Sequence, residues 1–183
     1  MKLKSSDRRI AVFIDGSNFY HIIKNLFPDL KPNDFDFEKF IQSLVCDRKL
    51  VRTYYYNAPL DRRKDENGYM KQQKFFDKIK RIPNFTFVLC RMQKRKVNNQ
   101  IIYEVKEDDI HLAVDMVKLA YDNVYDTAIL VSSDGDFIPA IRVVEKIGKE
   151  VENIGFETKF SYHLKQECSR FIKLRKEILS QFF

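Results

Sequence analysis

A five-residue apolar run, Ile10–Ile14 (IAVFI), breaks off at Asp15-Gly16-Ser17. An uninterrupted run of that length, closed by a turn signal, reads as a parallel strand buried on both faces. Leu50–Tyr56, Phe85–Arg91, Thr127–Ser132 and Val151–Gly155 have the same β-rich character. Helical spacing falls between them, at Phe19–Phe27, Phe37–Val45 with Asp36 as its N-cap, and the charged Asp61–Arg81 stopped by Pro83. Two more helices are predicted at Asp108–Asn123 and at Phe137–Ile147, with Gly148 as a C′ residue. Lys94–Asn99 reads as a basic turn, Ile101–Val105 as a short strand after it, and Glu167–Phe182 as a terminal helix. Strands alternating with helices predict an α/β fold. The expected form is a three-layer, Rossmann-like sandwich with a mainly parallel five-stranded sheet of order 3-2-1-4-5 and helices on both faces.

At 183 residues and 44% hydrophobic content, the chain fits one domain over 1–183. Its core is expected at about 9–155, followed by a helical extension at 165–183. The three cysteines, Cys46, Cys90 and Cys168, form no CxxC pair, which argues against zinc or a disulfide frame and for a reducing cytoplasm. Met1–Arg9 is charged and lacks the apolar core of a signal peptide, and no apolar run reaches the ~20 residues of a membrane span. A net charge of +7 permits binding to a polyanion. Basic residues cluster at Arg91–Lys96 and Arg170–Lys176.

Ligands of open parallel sheets sit beyond the carboxyl ends of the strands. Asp15 falls at that end of the first strand, and Asp134 and Asp136 fall just past that end of the fourth. The order 3-2-1-4-5 makes those strands neighbours. A helix leading into the fourth strand begins at the same edge, which brings in Asp109. On a helical wheel, Ile110, Ala113, Val114, Val117, Ala120 and Tyr121 form the stripe expected to be buried, extended by Leu112, Met116 and Leu119. Asp109 lies on the extended side, whereas Asp108 and Asp115 fall on the polar face. Converging carboxylates repel one another, and a divalent cation removes that cost. Oxygen ligands without His or Cys suit Mg²⁺ or Mn²⁺. Phosphatase and integrin-type spacings fail at Ser17 and Phe19, and no glycine-rich phosphate loop follows the first strand.

Three segments in order carry a family resemblance. Ile14–Phe19 (IDGSNF) resembles the opening motif of NYN domains, which are PIN-like nucleases. Lys106–Met116 (KEDDIHLAVDM) resembles the KGxD…LAxDM segment of the LabA-like branch, and Ala128–Phe137 (AILVSSDGDF) its ILVSGDSDF segment. The resemblance runs on through Pro139 and Val143 to Gly148-Lys149. It implies a PIN-like fold, a Mg²⁺ or Mn²⁺ site on Asp15, Asp109, Asp134 and Asp136, and phosphodiester hydrolysis with RNA, single-stranded, as substrate. Asn18 matches the motif's Asn and Lys106 its basic position; with Ser17, Ser133, Arg91, Lys94, Arg95 and Lys96 they form the expected substrate-binding set. Glu107 and Ser133 stand where the family has glycines. The alternative is a catalytically inactive module of the same fold that binds RNA or a protein partner; a phosphatase or nucleotidase is a third reading. The oligomeric state, including a homodimer, stays open.

Overall fold

The computed structural model describes residues 5–97 and 100–183. Strand β1 (Arg9–Asp15) runs straight into helix α1 (Gly16–Leu26), and α2 (Phe37–Val45) leads to β2 (Lys49–Asn57). Helix α3 (Glu66–Ile79) and β3 (Phe85–Leu89) follow. Next come an antiparallel hairpin, β4 (Arg91–Val97) and β5 (Gln100–Lys106), and helix α4 (Asp108–Tyr121). Strand β6 (Thr127–Val131), α5 (Ile138–Lys146), β7 (Glu150–Phe156), α6 (Tyr162–Glu167), β8 (Arg170–Leu174) and α7 (Lys176–Leu179) complete the chain.

The main sheet is parallel throughout, with order β3-β2-β1-β6-β7-β8. Its first five members reproduce the expected 3-2-1-4-5 order, and β8 adds a sixth strand. Every residue of β6 is buried, as is all of β1 after Arg9 and all of β7 after Glu150. These are the runs whose apolar side chains must be covered on both faces. One face carries an aromatic-rich core in which the Phe35 ring lies 5.0–5.3 Å from those of Phe19, Phe37, Phe40 and Phe183. The other face buries Phe13, Leu112, Met116, Tyr125, Leu130 and Ile141. Caps follow the sequence: Asp36 accepts from Lys39 N at 3.0 Å, and Gly148 turns out of α5 at φ +90°.

Two expectations need correction. The terminal helix Glu167–Phe182 does not form: α6 ends at Glu167, and Arg170–Leu174 is strand β8. Ile172 and Leu174 pack on the aromatic core while Phe171 turns to the opposite face, a period of two rather than 3.6. Pairing with β7 also covers backbone that would otherwise be an open edge. The basic turn at Lys94–Asn99 is instead largely β4, paired from Arg91↔Lys106 to Val97↔Gln100.

Candidate metal centre

Asp15 closes β1 and caps α1, its Oδ1 accepting from Asn18 N at 2.9 Å. Gly16 is required there by space: a Cβ would lie 2.5 Å from both the Tyr55 ring and the Tyr56 carbonyl. Ser132, one residue past β6, donates its hydroxyl to Asp15 Oδ2 at 3.0 Å. Parallel pairing of β1 with β6 brings these ends together across 117 residues of chain.

Helix α4 brings the remaining carboxylates. Asp15, Asp108 and Asp109 each offer an oxygen within 4.8 Å of the others. Among the described residues this tight group does not extend to Asp134 or Asp136. Asp15 is 4% exposed and Asp108 8%, with Asp109 half-buried. Burial pushes the Asp15 carboxyl up to about 7, and the neighbouring charges of Asp109 and Asp108 push the same way against the two hydrogen bonds it accepts. Three hard oxygen donors compressed in a desolvated corner fit a Mg²⁺ or Mn²⁺ ion, which would neutralise their repulsion.

The helical wheel assigns Asp108 to the polar face of α4. The side that meets the sheet is instead Asp108, Leu112, Met116 and Ala120, while Ile110, Val114 and Tyr121 are 57–69% exposed. Both stripes are apolar with the same helical period, so the wheel alone could not choose between them. The chain's entry angle does. Glu107 sits in the left-handed region at φ 74°, where the resembled motif has glycine, and turns Asp108 inward. Arg91 pairs with Glu107 at 2.6 Å, joining the base of the hairpin to the start of α4. Asp115, expected to be solvated, is half-buried and accepts from the buried Tyr56 hydroxyl at 3.0 Å.

Of the other expected residues, Asp134, Ser133 and Asn18 are joined by hydrogen bonds beside Asp15 at the end of β6. Asp134 N donates to Ser132 Oγ at 3.1 Å, one hydrogen bond removed from Asp15. The Asp134 carboxylate accepts from Asp136 N, shaping a 3₁₀ turn on which Asp136 is exposed. Asn18 Oδ1 accepts from Ser133 N at 3.2 Å, and Ser133 Oγ turns away to donate to Lys159 O at 2.6 Å. The Ser17 hydroxyl is buried without a hydrogen-bond partner. Arg91 is exposed; the side chains of Lys94, Arg95, Lys96 and Lys106 lie outside the described residues. Asn153 was not foreseen. Buried on β7, it donates to the carbonyls of Leu130 and Ser132 at 3.1 and 3.0 Å and so fixes the end of β6.

No helix among the described residues is long and apolar enough to cross a membrane. The chain is similar over 69 residues, at 39% identity, to an uncharacterized protein of Methanocaldococcus jannaschii. That match covers 38% of this chain and 29% of the archaeal protein, so it spans under a third of that relative. In fold, the chain resembles a crystal structure of a protein of unknown function from Vibrio parahaemolyticus, with a TM-score of 0.71. The two are 22% identical over 94% of this chain and 96% of that one. The NYN domain profile matches residues 9–175, spanning β1 through β8. The protein belongs to the NYN domain family, which points to a PIN-like nuclease.

Proposed function

We propose that the protein is a Mg²⁺- or Mn²⁺-dependent ribonuclease that hydrolyses phosphodiester bonds of single-stranded RNA. The observation that carries this reading is the convergence of Asp15, Asp108 and Asp109 at the carboxyl edge of a parallel sheet in an NYN domain. These three carboxylates would hold the ion. Asp134 and Asp136, on the adjoining turn, would accept hydrogen bonds from its water shell. The ion would supply an activated water and a counter-charge for the leaving oxygen. Asn18 and Ser132 orient Asp15 through hydrogen bonds on both its oxygens, one from a backbone N–H and one from a hydroxyl. Ser17, Asn18, Ser133 and Lys106 would line the path of the phosphate. Arg91, Lys94, Arg95 and Lys96 on the hairpin would track the backbone of the nucleic acid, a contact weakened by salt. Membership of the LabA-like branch, a single-domain organisation and a cytoplasmic location belong to the same proposal.

The test is Mn²⁺-dependent cleavage of single-stranded RNA by Asp15→Asn, Asp108→Asn, Asp109→Asn and Asp134→Asn. The three cluster variants are expected to lose about 100-fold or more, as when a charged group is removed from a preorganised site. Asp134→Asn should lose less, because its carboxylate stands outside the tight group. Undiminished cleavage by all three cluster variants would sink the mechanism. Metal-independent RNA binding without turnover by the native protein would favour the binding-module alternative.

A further inference from the structure

The turn after β7 has no part in the carboxylate cluster, yet it is built against it. Phe156 and Lys159 exchange backbone hydrogen bonds at 3.2 and 3.1 Å, closing a tight turn. The turn is tied to the metal centre by Ser133 Oγ, which donates to Lys159 O at 2.6 Å. A Cβ on Gly135, between Asp134 and Asp136, would stand 3.4 Å from Ser161 Oγ. The segment from Lys159 to Tyr162 therefore borders the rim of the site.

That segment displays aromatic rings. Phe160 is 39% exposed and Tyr162 61%. Phe160 is held from beneath, with its ring centroid 5.6 Å from that of Phe171 on β8. Gly155 makes room for this pair, since a Cβ there would fall 2.7 Å from the Phe171 ring and 3.0 Å from Phe160 Cβ. Lys173 Nζ lies 5.9 Å from the Phe160 ring, and Lys159 and Lys165 are exposed on either side. Exposed rings on a packed support, rimmed by lysines, mark a binding surface rather than a core. Tyr55 and Tyr56 on β2, by contrast, are buried in the sheet and present no ring to a ligand.

The geometry points to Phe160 and Tyr162, flanked by Lys159 and Lys173, as a shelf on which bases of a single-stranded nucleic acid stack beside the carboxylate site. This assignment rests on the nuclease reading for its occupant. It deepens that reading by requiring unpaired bases, because rings inside a duplex present no free face. The lysines complement backbone phosphates on the same surface.

The test measures anisotropy of a fluorescein-labelled 12-nucleotide oligouridine with the full chain in EDTA, so that no cleavage intervenes. Tyr162→Ala should weaken binding about fivefold or more, and Phe160→Ala with Tyr162→Ala about thirtyfold or more. Tyr162→Trp should bind at least as tightly as the native protein. Affinity for a blunt RNA duplex should stay unchanged in all three. Tyr162 is exposed enough that its truncation leaves the fold intact, which keeps the result readable if the Phe160 variant is unstable. Binding of oligouridine by Tyr162→Ala within twofold of native overturns the shelf, as does an equal loss on the duplex. The nuclease reading is tested apart, by Mn²⁺-dependent hydrolysis of bis(p-nitrophenyl) phosphate, a diester too small to need the shelf. Ring-dependent oligouridine binding without that hydrolysis would overturn the nuclease reading and support the shelf.

Discussion

Asp15 is held by two hydrogen bonds, yet it is buried beside two further carboxylates. A carboxyl pushed up to about 7 keeps its proton in the folded chain over a range where the unfolded chain has lost it. Its contribution to stability is complete below about pH 4 and is lost as the pH rises through about 7. Asp15→Asn should therefore raise the melting temperature of the metal-free protein at pH 8 while abolishing cleavage. Differential scanning fluorimetry in EDTA reads the first effect, and an unchanged or lowered melting temperature would contradict the burial argument. Asp15 was legible in the sequence because a strand must end where an apolar run meets Asp-Gly-Ser. Asp108 was not, because a helix with two apolar stripes does not declare which one meets the sheet. The deciding signal was Glu107, standing where the resembled motif has the residue best suited to a left-handed turn.

At the opposite edge of the sheet, Asp126 joins the starts of three strands. It accepts from Arg9 Nη2, Nε and N at 2.7–3.1 Å and lies 3.6 Å from Lys149. The Arg9 hydrogen bond holds its carboxyl at about 2, below the usual range. That stabilisation is complete above about pH 4 and fades as the pH falls toward 2. Asp126→Asn should cost about 1–2 kcal/mol at pH 7, a modest sum because the pair is partly solvated. Urea melts of the two proteins should converge near pH 2, and a gap that persists there would refute the assignment. Among the elements, the buried strands were the easiest to read, and β8 and β4 the hardest. Strand β8 has five residues, two of them charged, and its apolar positions fit a helical turn as well as a strand. The hairpin strand β4 hides in a basic composition that resembles a solvated turn. For β8 the conformation is decided by its partner β7, which the local pattern of Arg170–Leu174 does not contain.

The first five strands of the main sheet take the 3-2-1-4-5 order expected for alternating strands and helices with this family resemblance, and β8 extends it. Metal binding should report on this whole arrangement, because the proposed ligands come from β1 and α4, and Asp15 is braced by Ser132 after β6. Mn²⁺ at about 100 times its dissociation constant should stabilise the fold by ~2.7 kcal/mol, raising the melting temperature by roughly 5–10 °C. The Asp108→Asn variant should show a much smaller rise, and an equal rise in both proteins would place the ion elsewhere. The pairing of β1 with β6 also sets an order in time. During synthesis the amino-terminal part of the chain emerges first, at ~5–20 residues per second. Asp15 would then leave the ribosome several seconds before Asp108, and Ser132 would follow later still. Until α4 has been made and docked on β1, the three carboxylates do not meet, and the Ser132 hydrogen bond to Asp15 waits for β6. A ribosome carrying a chain that ends before α4 would therefore carry no assembled carboxylate site.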